Sequence, residues 1–420
     1  MKLVYIVSWL FALAVSFVSC DDWLDKTPKD RLYPDVYFKT EDELRLFTNQ
    51  FYNNLVPSAV DIYSESSDLI VKSDLMLEMS GQRIIPDEGN GWNFTALRDI
   101  NFYLQYSHNC TEVNARNRYD GVARFFRAYF YFEKVKRYGD IPWYDKALDS
   151  DDPELYKARD SREFVMQKML EDLDFAIANL PKTKNAYVLT RWTALALKSR
   201  VCLFEGTFRK YHGLEDYEKY LNACVSASET FMNESGYTLY KSGSTPYRDL
   251  FASINLQADE VIFGRDYEAS LSVLHNVQNY ENSTTMGRPG MNKKIVNSYL
   301  MADGSRFTDK AGYETMTFDQ ECQNRDPRLA QTIRTPGYTR IGSTKKEAPN
   351  LAYTMTGYHL IKYSMTANYD EYNKSCNDIP LFRTAEVYLN FAEAKAELGT
   401  LKQADINKSI KLLRDRVGTV

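Results

Sequence analysis

Apolar residues recur at helical spacing in seven blocks along the chain. In the first block they follow one another at intervals of three, four and four residues, at Leu44, Phe47, Phe51 and Leu55. Such intervals place the side chains on one face of a helix. Thr40 with Glu43 three residues later has the sequence of a capping box, which marks where this helix begins. Comparable patterns predict further helices over residues 118–137, 161–180, 190–204, 216–232, 384–398 and 404–417.

Helices of this length, separated by short turns, favour an all-α fold of tetratricopeptide-like helical hairpins. The exception is the stretch from 258 to 369, where residues 260–263 and 357–363 have the composition of short strands between loops rich in Gly and Pro. We therefore predict a helical scaffold over 37–257, a loop-rich ligand-binding lobe over 258–378 and a helical hairpin over 379–420.

The N-terminus has the pattern of an export signal. Lys2 precedes an apolar run over residues 3–18, which is too short to span a membrane as a helix, and Ser19 and Cys20 follow. Cleavage before Cys20 would remove residues 1–19 as a signal peptide and leave a cysteine for lipid attachment, as in bacterial lipoproteins, with residues 20–36 as the lipidated tether. The alternative is an ordinary signal peptide, over residues 1–19, cut near a chance cysteine.

Composition excludes several classes of function. A net charge of −5 provides no basic field for nucleic acid. The four histidines are far apart in the sequence, and neither a phosphate-binding glycine loop nor a Gly-x-Ser-x-Gly motif is present. We therefore expect no metal, no cofactor and no catalytic residues, and we do not expect an enzyme.

Several long blocks identify the chain as similar to one family. They are RFFRAYFYF at 124–132 with RYGDIP at 137–142, LRDIN at 97–101, ALALKSR at 194–200, NRDPRL at 324–329 and RTAEVYLNFAEA at 383–394. Together with the lipoprotein-like start, they resemble the SusD/RagB family of outer-membrane nutrient-binding lipoproteins of the Bacteroidetes. Within these blocks we expect Arg127 to pair with a carboxylate or to cap backbone carbonyls in the core, because buried charges need partners. We expect Glu386 and Glu393 to form similar pairs in the last two helices.

The resemblance has further implications. It implies a helical scaffold with a ligand in the loop-rich lobe, a surface-exposed protein anchored in the outer membrane by lipid, and a SusC-like TonB-dependent transporter as partner. Members of this family usually continue beyond the helix that ends here at Val417, so we expect a truncated C-terminal hairpin.

Candidate ligand-binding residues are aromatic side chains in loops next to polar ones, because sugars present apolar C–H faces between their hydroxyl groups. Trp92 meets this description, with Arg83 and Asp87 shortly before it, and Tyr280 and Arg288 form a second group. The alternative for Trp92 is a structural anchor at a helix start, and for Tyr280 an ordinary surface tyrosine.

These observations favour a cell-surface protein that captures oligosaccharide or polysaccharide and passes it to the transporter. Two alternatives remain open. The protein could instead be a peptide-binding member of the same family, or a helical adaptor of the transporter complex that holds no ligand.

Overall fold

The computed structural model describes residues 37–63, 69–86, 89 and 91–419. About half of the chain is helical, and strands are few and short, as predicted. Seven helices in the described residues have twelve or more residues: α1 Glu41–Leu55, α2 Thr95–Tyr106, α3 Val113–Tyr138, α4 Arg162–Asn179, α5 Arg191–Tyr211, α6 Tyr217–Glu234 and α7 Thr384–Glu397. The strands are β1 Ile70–Val71, β2 Val261–Arg265, β3 Gly290–Met291 and β4 Ile379–Arg383.

Helix starts follow the predicted signals. The Thr40 side chain accepts a hydrogen bond from the Glu43 amide, and the Glu43 carboxylate accepts one from the Thr40 amide, which completes the capping box of α1. Ser161 caps α4. Helix α5 runs beyond residue 204 to Tyr211, because the buried Glu205 in this extension pairs with both Arg162 and Arg209.

Helix α3 is the centre of the scaffold. Among the six aromatic residues at positions 125–132, all except Tyr129 are buried. They pack in one hydrophobic core with residues of α1, α2, α4, α5 and α6 and with Ile262, Phe263 and Phe382 of the β2–β4 pair. Most of the aromatic content of this part of the chain therefore serves packing.

A buried ion pair joins α3 to α4. Arg127 donates from Nε and Nη2 to the two carboxylate oxygens of Asp172, over 2.6 and 2.7 Å, and from Nη1 to Asn101 Oδ1 on α2 over 3.2 Å. Arg127 and Asp172 are 7% and 2% exposed. This confirms the expected pairing of Arg127 and shows that one guanidinium links α2, α3 and α4.

The lobe contains two small antiparallel ribbons. Strand β1 pairs with β3, and β2 pairs with β4 from Val261 opposite Arg383 to Arg265 opposite Ile379. Gly264 in β2 allows the close approach, since a Cβ there would lie 2.6 Å from the Ile379 carbonyl oxygen. A second hydrophobic core fills the lobe between these ribbons and its short helices.

The strand predicted over 357–363 is wrong. His359 and Leu360 form only isolated bridges, to Gly290 and Ile333. The segment is held instead by groups from different parts of the lobe: the Tyr358 hydroxyl donates to Glu321, and the His359 ring bonds to the carbonyl of Glu281. Because each residue has a different partner segment, no continuous ladder forms.

The buried carboxylate of Glu260 joins the lobe to the end of the chain. Glu260 is fully buried and pairs with Arg383 at 2.8 Å and with Arg416 at 2.9 Å. The Tyr240 amide also donates to it. The Glu260 side chain, directly before β2, therefore holds the end of β4 through Arg383 and the end of the C-terminal helix through Arg416.

The C-terminal expectations are only partly correct. Glu386 pairs with Arg200, as expected. Glu393, however, is exposed and forms no ion pair within the described ranges, so that expectation is wrong. The single helix predicted over 404–417 is also wrong: it is split into Gln403–Asn407 and Ile410–Asp415, because the Ser409 hydroxyl donates to the Asp405 carbonyl and its backbone leaves the helical region.

The part of the chain that the structure describes contains five free cysteines, four of them buried, and none is in a disulfide. No helix within the same residues has both the length and the apolar character needed to cross a membrane. Those residues also contain no group of three or more His, Cys, Asp or Glu side chains placed to hold a metal ion.

Replacing Asp172 with Ala should lower the free energy of unfolding by about 3–5 kcal/mol, because Arg127 is left buried without its counter-charge. The control is Asp174→Ala in the same helix. Asp174 is 60% exposed and pairs with Lys198 at the surface, so its loss should cost less than about 1 kcal/mol. Urea unfolding followed by circular dichroism measures both, and equal losses would contradict the role given to Asp172.

Candidate functional site

An open cleft of about 280 Å³ lies beside the start of α2, and Trp92 is at its edge. Trp92 precedes α2 in a tight turn, in which its amide donates to the Gly89 carbonyl over 3.0 Å and the Asn93 amide donates to the Gly91 carbonyl over 2.9 Å. The Asn93 side chain then accepts from the Thr95 amide at the first residue of α2. The turn therefore fixes the indole relative to the helix.

The Trp92 ring is supported by other rings. Phe94 and Tyr138 meet it edge to face, with centroids 5.3 and 4.9 Å away. The Arg159 guanidinium lies 4.9 Å from the ring centroid, and Trp92 keeps 39% of its surface exposed. Arg159 forms no salt bridge among the described residues, so its N–H groups stay available at the edge of the cleft.

The absence of a side chain at Gly91 lets the turn before Trp92 pack closely against Tyr138 of α3. Its φ is +82°, a conformation that L side chains rarely adopt, and a Cβ at this position would lie 3.2 Å from the Tyr138 hydroxyl oxygen. Lys134 of α3 donates to the Gly91 carbonyl. Burial, and to a smaller degree Arg137, lower the pKa of Lys134.

The wall of the cleft is held from the core. Asn101 donates to the carbonyls of Tyr144 and Lys146 over 2.8 and 3.3 Å, while its Oδ1 accepts from Arg127. The Tyr144 amide donates to the Tyr131 hydroxyl over 2.6 Å. Asn101 therefore acts as a link between the buried ion pair and the cleft, and it leaves no free amide group for a ligand.

Charged side chains also line the cleft. The Arg98 Nε donates to the Leu148 carbonyl over 3.2 Å, and its Nη2 lies 3.9 Å from Asp149. Lys146 pairs with Glu154 at 2.9 Å, and this hydrogen bond raises the pKa of Lys146. Together with Phe94, Tyr144 and Leu155, these groups give a cleft with apolar surfaces and several hydrogen-bond donors.

Of the predicted residues, only Trp92 lines this cleft. Arg83 is exposed and lies outside the cleft, and its Nε is 3.5 Å from Glu78 Oε1. Asp87 and Cys20 lie outside the described residues.

Tyr280 and Arg288 lie in the lobe. Tyr280 is half-buried against the lobe core, with its ring centroid 6.1 Å from that of Tyr63. Arg288, at a φ of +50°, donates to the carbonyls of Ala352 and Leu351 over 2.8 and 2.9 Å. Both side chains have packing or loop-holding contacts, and a role for either in ligand binding stays a prediction.

The sequence did not indicate Arg98, Tyr144, Lys146 or Arg159 as part of a site. Arg98 lies in the LRDIN block and Tyr144 lies two residues after the RYGDIP block, so position within or near a recognisable block was the only signal. Lys146 and Arg159 come from a polar loop segment that gave no signal, and the fold brings Lys146 into the same cleft as Trp92 and Arg159 next to the Trp92 ring.

The described residues thus form a helical scaffold with a loop-rich lobe and an aromatic, polar cleft. Two family profiles match the chain: the SusD family over residues 250–420, and a family described as starch-binding and associating with the outer membrane over residues 82–191. The chain is a SusD-like family member.

Individual relatives agree with this assignment. The chain is 25% identical over 415 residues to SusD-like protein P2 of Formosa agariphila, covering 92% of this chain and 76% of the relative. A SusD-like protein of Bacteroides fragilis shares the fold with a TM-score of 0.73 at 22% identity, over 94% of this chain and 82% of the other. A SusD-like carbohydrate-binding protein of the same species also gives 0.73, at 19% identity, over 91% and 79%.

Replacing Gly91 with Ala should displace Trp92 and make it more accessible to acrylamide, because the added Cβ is strained at this φ and meets Tyr138. A left-handed backbone costs an L residue about 1–2 kcal/mol. The quenching of Trp92 is isolated by subtracting that of a Trp92→Phe variant.

Gly81→Ala is the matched control. Gly81 has a φ of +69° but no atom within 4 Å of a built Cβ, so the substitution strains the backbone without touching Trp92. The same rise in quenching for both variants would show that the Tyr138 contact does not position the ring.

Proposed function

We propose that the protein binds glycans and that the cleft at Trp92 is its binding site. The observation that carries the proposal is an exposed indole at the edge of a cleft that the hydrogen-bond donors Arg98 and Lys146 line. Two rings pack against this indole, and the Arg159 guanidinium lies next to it. A sugar ring needs both elements: an apolar surface for its C–H face and polar groups for its hydroxyls. The family description and the carbohydrate-binding neighbour support the same ligand class.

The shape of the cleft favours a chain of sugars over a small enclosed molecule. It is open to solvent along one side and bounded by loops and the start of one helix, so a ligand can extend beyond it. A peptide remains the second candidate, because guanidinium and ammonium donors also bind peptide carbonyls and carboxylates. The partly exposed Trp92 ring favours the glycan.

We further propose that the protein is a lipid-anchored protein on the cell surface that passes its ligand to a SusC-like TonB-dependent transporter. The support is the N-terminal pattern ending at Cys20 and the association of the matched family with the outer membrane. If the protein is instead a helical adaptor of the transporter complex that holds no ligand, the cleft at Trp92 has no part in the uptake of glycan.

Replacing Trp92 with Ala should weaken glycan binding by at least about tenfold, the usual effect of removing a buried or half-buried aromatic anchor. Affinity electrophoresis against starch, xylan, pectin and mannan identifies the ligand, and titration calorimetry with the retained polymer gives the loss. Uptake of that polymer by cells carrying the variant should fall in parallel.

Tyr372→Ala serves as the control, since Tyr372 is 64% exposed and lies away from the cleft. Unchanged binding in Trp92→Ala would place the site elsewhere. Unchanged uptake despite lost binding would favour the adaptor, and retention of peptides but of no polysaccharide would favour the peptide receptor.

Replacing Cys20 with Ala should abolish incorporation of an alkyne-labelled fatty acid and move the protein from the membrane fraction to the soluble fraction of a Bacteroides host. Two or more acyl chains are needed for stable anchoring, at about 0.8 kcal/mol per buried methylene. Cys322→Ala, which removes a cysteine of the folded lobe, should leave labelling unchanged. Equal labelling of both variants would refute lipidation at Cys20.

A further inference from the structure

A second open cleft, of about 330 Å³, lies where the helical scaffold meets the lobe. It is bounded by the end of α1, by the loop residues Tyr187 and Val188, and by the end of β2 with the residues that follow it. It shares no lining residue with the cleft at Trp92. Its volume is within the range of small-molecule sites, about 300–1,000 Å³.

Two side-chain amides of α1 face this cleft. Asn49 and Asn53 are four residues apart, so they lie on the same side of the helix, and both are exposed. Neither amide forms a hydrogen bond with the part of the chain that the structure describes. Each amide group offers two donors and a carbonyl acceptor.

The Arg265 guanidinium and the Asp266 carboxylate also line this cleft. Arg265 donates one hydrogen bond, from Nη1 to the Val56 carbonyl over 2.8 Å, and has no salt bridge within the described residues. Asp266 follows it and is exposed. Their charges balance, so the cleft does not select for a net charge on its ligand.

Tyr187 provides a fixed ring at the edge of the cleft. Its hydroxyl donates to Asp378 Oδ2 over 2.7 Å, and the other carboxylate oxygen of Asp378 accepts from the Tyr267 amide over 2.9 Å. Asp378 is 4% exposed, so the phenol tip is anchored in the interior while 40% of Tyr187 stays exposed. The neighbouring Val188 is similarly exposed and extends the apolar surface.

We propose that this cleft is a second saccharide-binding site, for a neutral, hydroxylated sugar unit. Each sugar hydroxyl both donates and accepts, and the Asn49, Asn53, Arg265 and Asp266 side chains supply both roles around an anchored ring. An apolar ligand that covered these groups would leave them without hydrogen-bond partners, which is unfavourable. The proposal takes its ligand class from the proposed function, but its position is independent of Trp92.

Replacing Asn49 and Asn53 together with Ala tests the proposal without disturbing the core, because both side chains are exposed and Ala favours a helix. Maltohexaose, cellohexaose and xylohexaose are each titrated calorimetrically into the full chain. For a hexasaccharide that binds, we expect two sites in the wild type and an affinity loss of about tenfold or more at one of them in the double variant. Gln50→Ala with Asn54→Ala, on the same helix but outside the cleft, should retain both sites.

The outcomes separate this proposal from the one at Trp92. Loss of one site in Asn49→Ala/Asn53→Ala and of the other in Trp92→Ala supports both. Two sites retained in the asparagine double variant, or a single site lost only in Trp92→Ala, overturns the second site and leaves the proposed function standing. A single site lost only in the asparagine double variant supports this cleft and overturns the placement at Trp92. Binding of none of the three hexasaccharides overturns this proposal.

Discussion

The ion pair between Arg127 and Asp172 supports both the scaffold and the candidate site. A guanidinium taken out of water must be fully paired, and here two of its donors bind one carboxylate while a third reaches Asn101 on another helix. Asn101 in turn holds the backbone of Tyr144 and Lys146 in the cleft wall. The position of this cleft wall therefore depends on the buried Arg127 guanidinium. The block over residues 124–132 can therefore shape the cleft at Trp92 although none of its residues lines that cleft.

Glu260 has the corresponding role between the lobe and the C-terminal helices. Its carboxylate is shared by Arg383 and Arg416, which lie far apart in sequence, and its backbone carbonyl accepts from the Thr384 amide. Glu260 thus adds a buried ion-pair link between the lobe and the C-terminal helices to the β2–β4 pairing. The β2–β4 ribbon lies beside it and contributes residues to both hydrophobic cores, so the boundary predicted between lobe and scaffold crosses a continuous packed region.

Aromatic residues serve two different purposes in this protein. Those of α3 are buried and form the core, whereas Trp92 and Tyr187 keep about two-fifths of their surface exposed and are fixed by contacts at one side or at the tip. An exposed ring that cannot rotate loses little entropy when a ligand stacks on it. Composition alone counts both groups together, and only burial separates them.

The sequence by itself determined the helices, their caps and the family resemblance, because these depend on local spacing: a Thr with a Glu three residues on, or apolar residues at helical intervals. It also indicated that Arg127 needs a carboxylate or carbonyl partner, since a charge within an aromatic block must be paired. It did not determine which partner Arg127 has, nor that Arg98 and Lys146 line one cleft with Trp92 and that Arg159 lies next to the Trp92 ring. These residues are separated by loops whose course depends on tertiary packing. The error at residues 357–363 has the same origin: β-rich composition predicts a strand, but a strand also needs a continuous partner, and only the tertiary structure decides whether one is available.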